Sequence, residues 1–156
     1  MANKFEWIIA LLYGDNCSPI YGITKLEKLL FYYLNKFEYT QDAKEFGFEA
    51  YRFGPHSDFI RDILYFLKDK DIITIQSQET DNVLDLDVGD EIKPINYDKK
   101  EIYSLTNKGK EIAEEVKKKI PNFERLEQFK NKFNNISLDK LIRLVYSEFP
   151  KMTTKN

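Results

Sequence analysis

Apolar side chains recur at helical spacing six times along this chain, and no stripe runs beyond about four turns. Such a pattern folds as short helices around a shared core. Phe5, Ile8, Ile9 and Leu12 form the first stripe, closed by Gly14-Asp15-Asn16. Thr24 and Glu27 stand at capping-box spacing, and Leu26, Leu29, Leu30, Tyr33 and Phe37 continue a second helix over 24–37. Ser57 caps a third helix bearing Ile60, Ile63, Leu64 and Leu67. Thr106 caps a fourth, with Ile112, Ala113, Val116 and Ile120, ended by Pro121. Phe123, Leu126, Phe129 and Phe133 predict a fifth. Ser137 caps a sixth that carries Leu138, Leu141, Ile142, Val145 and Phe149 before Pro150.

Three stretches depart from the helical period. Phe46 to Phe53 is aromatic and reads as a short strand before Gly54-Pro55. Ile72-Ile-Thr-Ile75 and Ile102-Tyr-Ser-Leu105 read as a strand pair whose polar connection forms an enlarged hairpin tip. Three helices followed by a strand pair is the order of a winged helix-turn-helix. The expected fold is therefore mainly α with a small β-hairpin. A winged-helix domain over 1–109 carries an acidic wing insertion at 79–101, and a helical C-terminal extension covers 110–156. The length of 156 residues suits one domain with such an extension.

Composition removes several function classes. A lone cysteine, Cys17, rules out an internal disulfide framework, and one His beside one Cys cannot build an all-nitrogen-and-sulfur zinc site. No metal or other cofactor is expected. No apolar run approaches the roughly 20 residues of a membrane span, so no membrane partner is expected and the expected location is cytoplasmic. Catalysis is not expected either. Cys17 and His56 lack a visible orienting third group, Ser137-Leu-Asp-Lys140 lacks the partner motifs of Ser-x-x-Lys enzymes, and no Gly-rich loop follows a strand.

A net charge of −2 argues against indiscriminate coating of nucleic acid. The charge is unevenly placed: residues 1–107 hold 12 basic and 19 acidic side chains, and residues 108–156 hold 12 and 7. Duplex reading would use Arg61, Tyr65 and Lys68 on the third helix, with Lys25 and Lys28 of the second for phosphates. Asp58, Asp62 and Asp69 share that third helix, and 79–92 holds six carboxylates without a Lys or Arg. A wing that tracks phosphates needs the opposite sign. The bland reading of the helix-two lysines is a solvated helix face.

The turn Tyr51-Arg52-Phe53-Gly54-Pro55-His56-Ser57 is the other candidate site. Gly54 reaches backbone angles closed to other residues, Pro55 fixes one angle, and Arg52 between two rings suits stacking or a carboxylate. It reads as a preorganised partner-binding surface, or simply as a device that orients the third helix with Ser57 as its cap. The 10 Tyr and 12 Phe exceed what three short helices bury, so some of Phe123, Phe129, Phe133, Tyr146 and Phe149 are expected to serve a homodimer surface.

Gly22-Ile-Thr24-Lys-Leu26-Glu-Lys28-Leu-Leu-Phe31, the 51–57 turn, Tyr103-Ser-Leu105-Thr106-Asn-Lys108-Gly109 and the ending Val145 to Thr153 resemble the Panacea domain of SocA-type antitoxins and related small winged-helix proteins. His56 stands where that family usually carries Tyr. The resemblance implies a non-enzymatic regulator, some of whose relatives neutralise a toxin partner. The expectation is a protein-binding regulator, with a sequence-specific DNA-binding regulator as the alternative.

Overall fold

The computed structural model describes residues 2–51, 54–78 and 100–152. The expected acidic insertion, but for residues 100 and 101, and the turn residues Arg52 and Phe53 lie outside the described residues. Among those described, seven α-helices surround a small antiparallel sheet. In chain order these are α1 (Lys4–Cys17), β1 (Ile20–Tyr21), α2 (Ile23–Lys36), α3 (Thr40–Phe46), α4 (Asp58–Asp69), β2 (Ile73–Gln78), β3 (Lys100–Leu105), α5 (Asn107–Val116), α6 (Phe123–Phe133) and α7 (Leu138–Glu148). The sheet order is β1-β3-β2, with Ile20 opposite Tyr103 and Ile73 opposite Leu105.

Four local expectations need correction. The strand pair has a third member, β1, too short to show alternation in the sequence. Phe46 to Tyr51 is not a continuous strand: Phe46 ends α3, closed by a left-handed Gly47, and Glu49 and Tyr51 form isolated bridges, Glu49 with His56. The helix α3 itself was not anticipated. Thr24 is not a cap, because α2 starts at Ile23 behind Gly22, and Glu27 turns inward instead of back to the helix start. The reciprocal capping box belongs to α1, where Asn3 and Glu6 exchange backbone-to-side-chain bonds at 2.9 Å each. Ser57, Thr106 and Ser137 cap α4, α5 and α7 as their positions suggest.

α1 is covered on every side. Trp7 through Leu12 are all buried, the mark of a core helix rather than a one-faced surface helix. It packs against α3, β3, α5 and α6, while α7 lies on α2, so one continuous core runs from Ala2 to Val145. The C-terminal helices thus cover faces that a stand-alone three-helix unit would leave to water.

The end of α1 is held by a buried cation. Gly14 leaves the helix at ψ 161°, and Asp15, Asn16 and Cys17 adopt left-handed angles, unfavourable for residues other than glycine. Lys130 of α6, with no exposed surface, donates to the carbonyls of Leu12, Gly14 and Ser18 at 3.1, 2.9 and 2.8 Å. Asn131 adds a bond to Asp15, and Asn134 one to the Pro19 carbonyl. The end of α6 is held the same way, since Lys25 Nζ donates to the carbonyls of Asn134 and Ile136 at 2.8 and 2.9 Å. Two lysines therefore satisfy backbone acceptors that helix ends leave open.

The Leu105-Thr106-x-Lys108-Gly109 step has an equally local reason. Thr106 takes the Gly109 N–H as a cap, and its hydroxyl donates to the Asp71 carbonyl at 2.7 Å. Lys108 reaches the Lys70 carbonyl. A Cβ on Gly109 would press into the Ile72 carbonyl oxygen, so the residue is set by close approach of backbone to backbone.

Two outcomes follow. Gly109→Ala is expected to lose about 2 kcal/mol or more, read from the urea midpoint, because a rigid carbonyl must give way. Burial lowers the Lys130 ammonium to about 7, against the pull of nearby Asp15. Between pH 7 and the unfolded lysine value near 10.4 the unfolded chain then binds the extra proton, so this residue's contribution to stability rises with pH. The difference in unfolding free energy between wild type and Lys130→Met is expected to grow from pH 7 to 9.5, by up to about 1.4 kcal/mol per unit. Parallel pH profiles would refute this assignment.

Candidate functional site

The 51–57 turn is fastened to α2 from below. Glu49 and His56 exchange both backbone hydrogen bonds, at 2.8 and 2.9 Å, and Gly54 N–H returns to the Tyr51 carbonyl. Lys28, 1% exposed, sends its Nζ to the Pro55 carbonyl at 2.8 Å and to Glu27 at 3.4 Å. Gly54 has φ +98°, and a Cβ there would come within 2.9 Å of the Lys28 Cε. The left-handed angle calls for glycine, and a Cβ would also displace the end of the Lys28 side chain.

Glu27 is the hub of the cluster. Its Oε2 faces His56 Nδ1 at 2.9 Å and accepts the Ser57 N–H at 3.4 Å, while Oε1 takes Lys28. The other ring nitrogen, His56 Nε2, lies 3.0 Å from Asp58. An imidazole carrying both protons satisfies both carboxylates; a neutral one satisfies only one. Ser57 Oγ donates to the Phe46 carbonyl at 2.6 Å and accepts from Phe59 N–H, so its proton is committed and its oxygen serves as the cap. Burial depresses the Lys28 ammonium, and the Glu27 carboxylate opposes that shift.

Above the cluster lies a cleft of about 320 Å³ between the start of α2 and the start of α4, bordered by Thr24, Tyr51, His56, Asp58, Arg61 and Asp62. Tyr51 is 54% exposed and lies against the His56 ring at 5.2 Å. The cleft has a mixed-charge rim and an exposed aromatic beside it, an arrangement suited to gripping another surface.

α4 shows two different polar sides. Arg61 and Tyr65 turn toward the sheet, where Glu101 of β3 takes the Tyr65 hydroxyl, the Tyr103 hydroxyl at 2.7 Å and, at 3.8 Å, Arg61. The Glu101 hydrogen bond raises the Tyr65 phenol, with burial adding to it; burial does so first at Tyr103. Lys68 is exposed on this side. The outer side presents Phe59 and Phe66, 47% and 46% exposed, with Asp62 between them.

Of the residues offered for duplex binding, Lys25 and Lys28 are bound to backbone carbonyls, and Lys28 is buried rather than on a solvated face. Arg61 and Tyr65 are engaged by Glu101. The turn residues Tyr51 and Gly54 to Ser57 do come together, around a carboxylate the sequence reading had used as a helix cap. Glu27, Glu101, Phe59 and Phe66 were missed. A signal for Glu27 and Lys28 existed: Leu29 to Leu34 is six apolar residues in a row, so α2 is enclosed all round and charges in its first turns are enclosed with it.

Cys17 and His56 border different clefts, and Ser137 Oγ accepts the Lys140 N–H as a cap. Among the described residues no group of three or more His, Cys, Asp or Glu is arranged to hold a metal, and no helix is long and apolar enough to cross a membrane. No family model, no curated protein and no solved structure matches the chain.

Glu27→Gln is expected to cost about 3 kcal/mol in denaturant unfolding, because it strands a buried ammonium. The double variant Glu27→Gln/Lys28→Met should recover part of that loss. Simple addition of the two single costs would show that the residues are not coupled.

Proposed function

We propose that this protein is a non-enzymatic regulator of antitoxin-like type, which works by holding another protein against the 51–57 turn and the outer side of α4. The proposed architecture is a winged helix: α1, β1, α2, α4, β2 and β3 run in that order, and β3 lies between β1 and β2. The Panacea resemblance belongs to this proposal and adds the toxin-neutralising kind of partner to it.

The single observation that carries the reading is the Glu101 carboxylate on the would-be reading side of α4, where it takes the Tyr65 hydroxyl and stands 3.8 Å from a half-exposed Arg61. A helix that reads base edges needs those side chains free, and the carboxylate beside them repels phosphate. Beside their exposed charges, α4 and the turn leave three rings open: Tyr51, Phe59 and Phe66. Exposed rings beside a fixed backbone are the usual material of protein interfaces. The commitment of Ser57 and Ser137 to caps supports the non-enzymatic part of the proposal.

The test uses the full chain as bait in its own cells. Tyr51→Ala with Arg52→Ala is expected to release the co-purifying partner while the melting temperature holds. Undiminished co-purification would remove the turn from the proposal. Retention of a defined duplex that is sequence-dependent and weakens steeply with salt would put the DNA-reading alternative first.

A further inference from the structure

We infer that the groove between α2, α6 and α7 is a docking site for an acidic peptide segment that carries an aromatic or aliphatic side chain. The groove has a volume of about 630 Å³ and lies on elements other than the turn, so this inference goes beyond the proposed function. Phe37, Phe129, Phe133, Ile136 and Leu144 supply its apolar lining.

Its rim is cationic. Lys36, Arg125, Lys132 and Lys140 border it, against one carboxylate, Glu148. That carboxylate is already engaged by the Tyr32 hydroxyl at 2.8 Å and by Lys36 at 3.8 Å. Among the described residues, neither Lys132 nor Lys140 has a carboxylate within ion-pair distance, and both are exposed. Arg125 is held in place by its bond to the Tyr39 hydroxyl at 2.7 Å and by stacking on Phe37 at 4.1 Å. An occupant that answers this rim brings carboxylates around an apolar side chain.

The same chemistry does not favour a nucleic acid strand. Tyr32 meets Phe129 and Phe133 edge to face at 5.6 and 5.2 Å, all three are buried, and the guanidinium of Arg125 covers Phe37. No ring face stands open to stack a base. The groove offers a concave apolar lining, which suits a side chain inserted from a peptide.

The experiment selects random phage-displayed peptides on the full chain, with counter-selection on Lys132→Glu/Lys140→Glu. Enriched sequences are expected to place Asp or Glu around Phe, Leu or Ile. A synthetic copy should bind wild type, weaken as salt rises, and lose about tenfold or more in affinity for the double variant, whose melting temperature stays unchanged. No enrichment, enrichment without acidic residues, or equal binding by the double variant would each overturn the inference. So would tighter binding of oligothymidine at this groove, or a dimer of the chain that the double variant dissolves, which would seat a second copy there. Partner capture is scored at Tyr51 and peptide binding at Lys132 and Lys140, so failure of one remains distinguishable from failure of the other.

Discussion

Three carbonyl oxygens around one buried lysine nitrogen hold this fold together at its least regular point. α1 runs through the middle of the core and must stop abruptly for β1 to reach the sheet, and it stops in three consecutive left-handed residues. Such a turn is unfavourable by itself and leaves acceptors unpaired. Lys130 supplies three bonds at once from the helix that packs alongside. The C-terminal helices are therefore more than an appendage on a finished domain: α6 completes the end of α1, and Lys25 of α2 completes the end of α6.

The same device recurs under the candidate site. Lys28 donates to the Pro55 carbonyl as Lys130 does to the end of α1, but here a neighbouring carboxylate, Glu27, shares the load and passes it to His56 and Ser57. A buried cation that bonds to backbone oxygen is demanding in geometry and unforgiving of loss. It ties Pro55 to α2, and Tyr51 stands half in solvent beside the anchored end of the turn. A ring presented next to anchored backbone has less conformational freedom to lose on binding.

Most of the helices were legible from apolar period and caps, because those signals are local: Ser57, Thr106 and Ser137 announce α4, α5 and α7 with one side chain each. What escaped was non-local. β1 is two residues long and exists only because β3 offers it a register. α3 is a seven-residue helix lying among aromatic residues that favour strands, and packing against α2 and α4 overrides that preference. Thr24 and Glu27 have capping-box spacing, yet Glu27 finds a buried lysine and an imidazole instead. Counting lysines as surface charge failed for the related reason that Lys25, Lys28 and Lys130 spend their charge on carbonyl groups.

That last point bears on how charge along a chain is converted into a partner. A tally gives residues 108–156 an excess of cations, but one of them is buried at the end of α1 and another, Arg125, is stacked on Phe37 beneath tyrosine hydroxyls. Of the described cations that face outward with no carboxylate at ion-pair distance, Lys132 and Lys140 stand together beside an apolar concavity, while Lys110 and Lys151 lie elsewhere. On α4 the arrangement differs. Glu101 lies 3.8 Å from Arg61, Lys68 stays exposed, and another side of the helix presents phenylalanine and aspartate. A helix of that composition suits the proposed protein contact better than a phosphate backbone, so its pairing with the sheet bears on its chemistry more than its place in the order of elements.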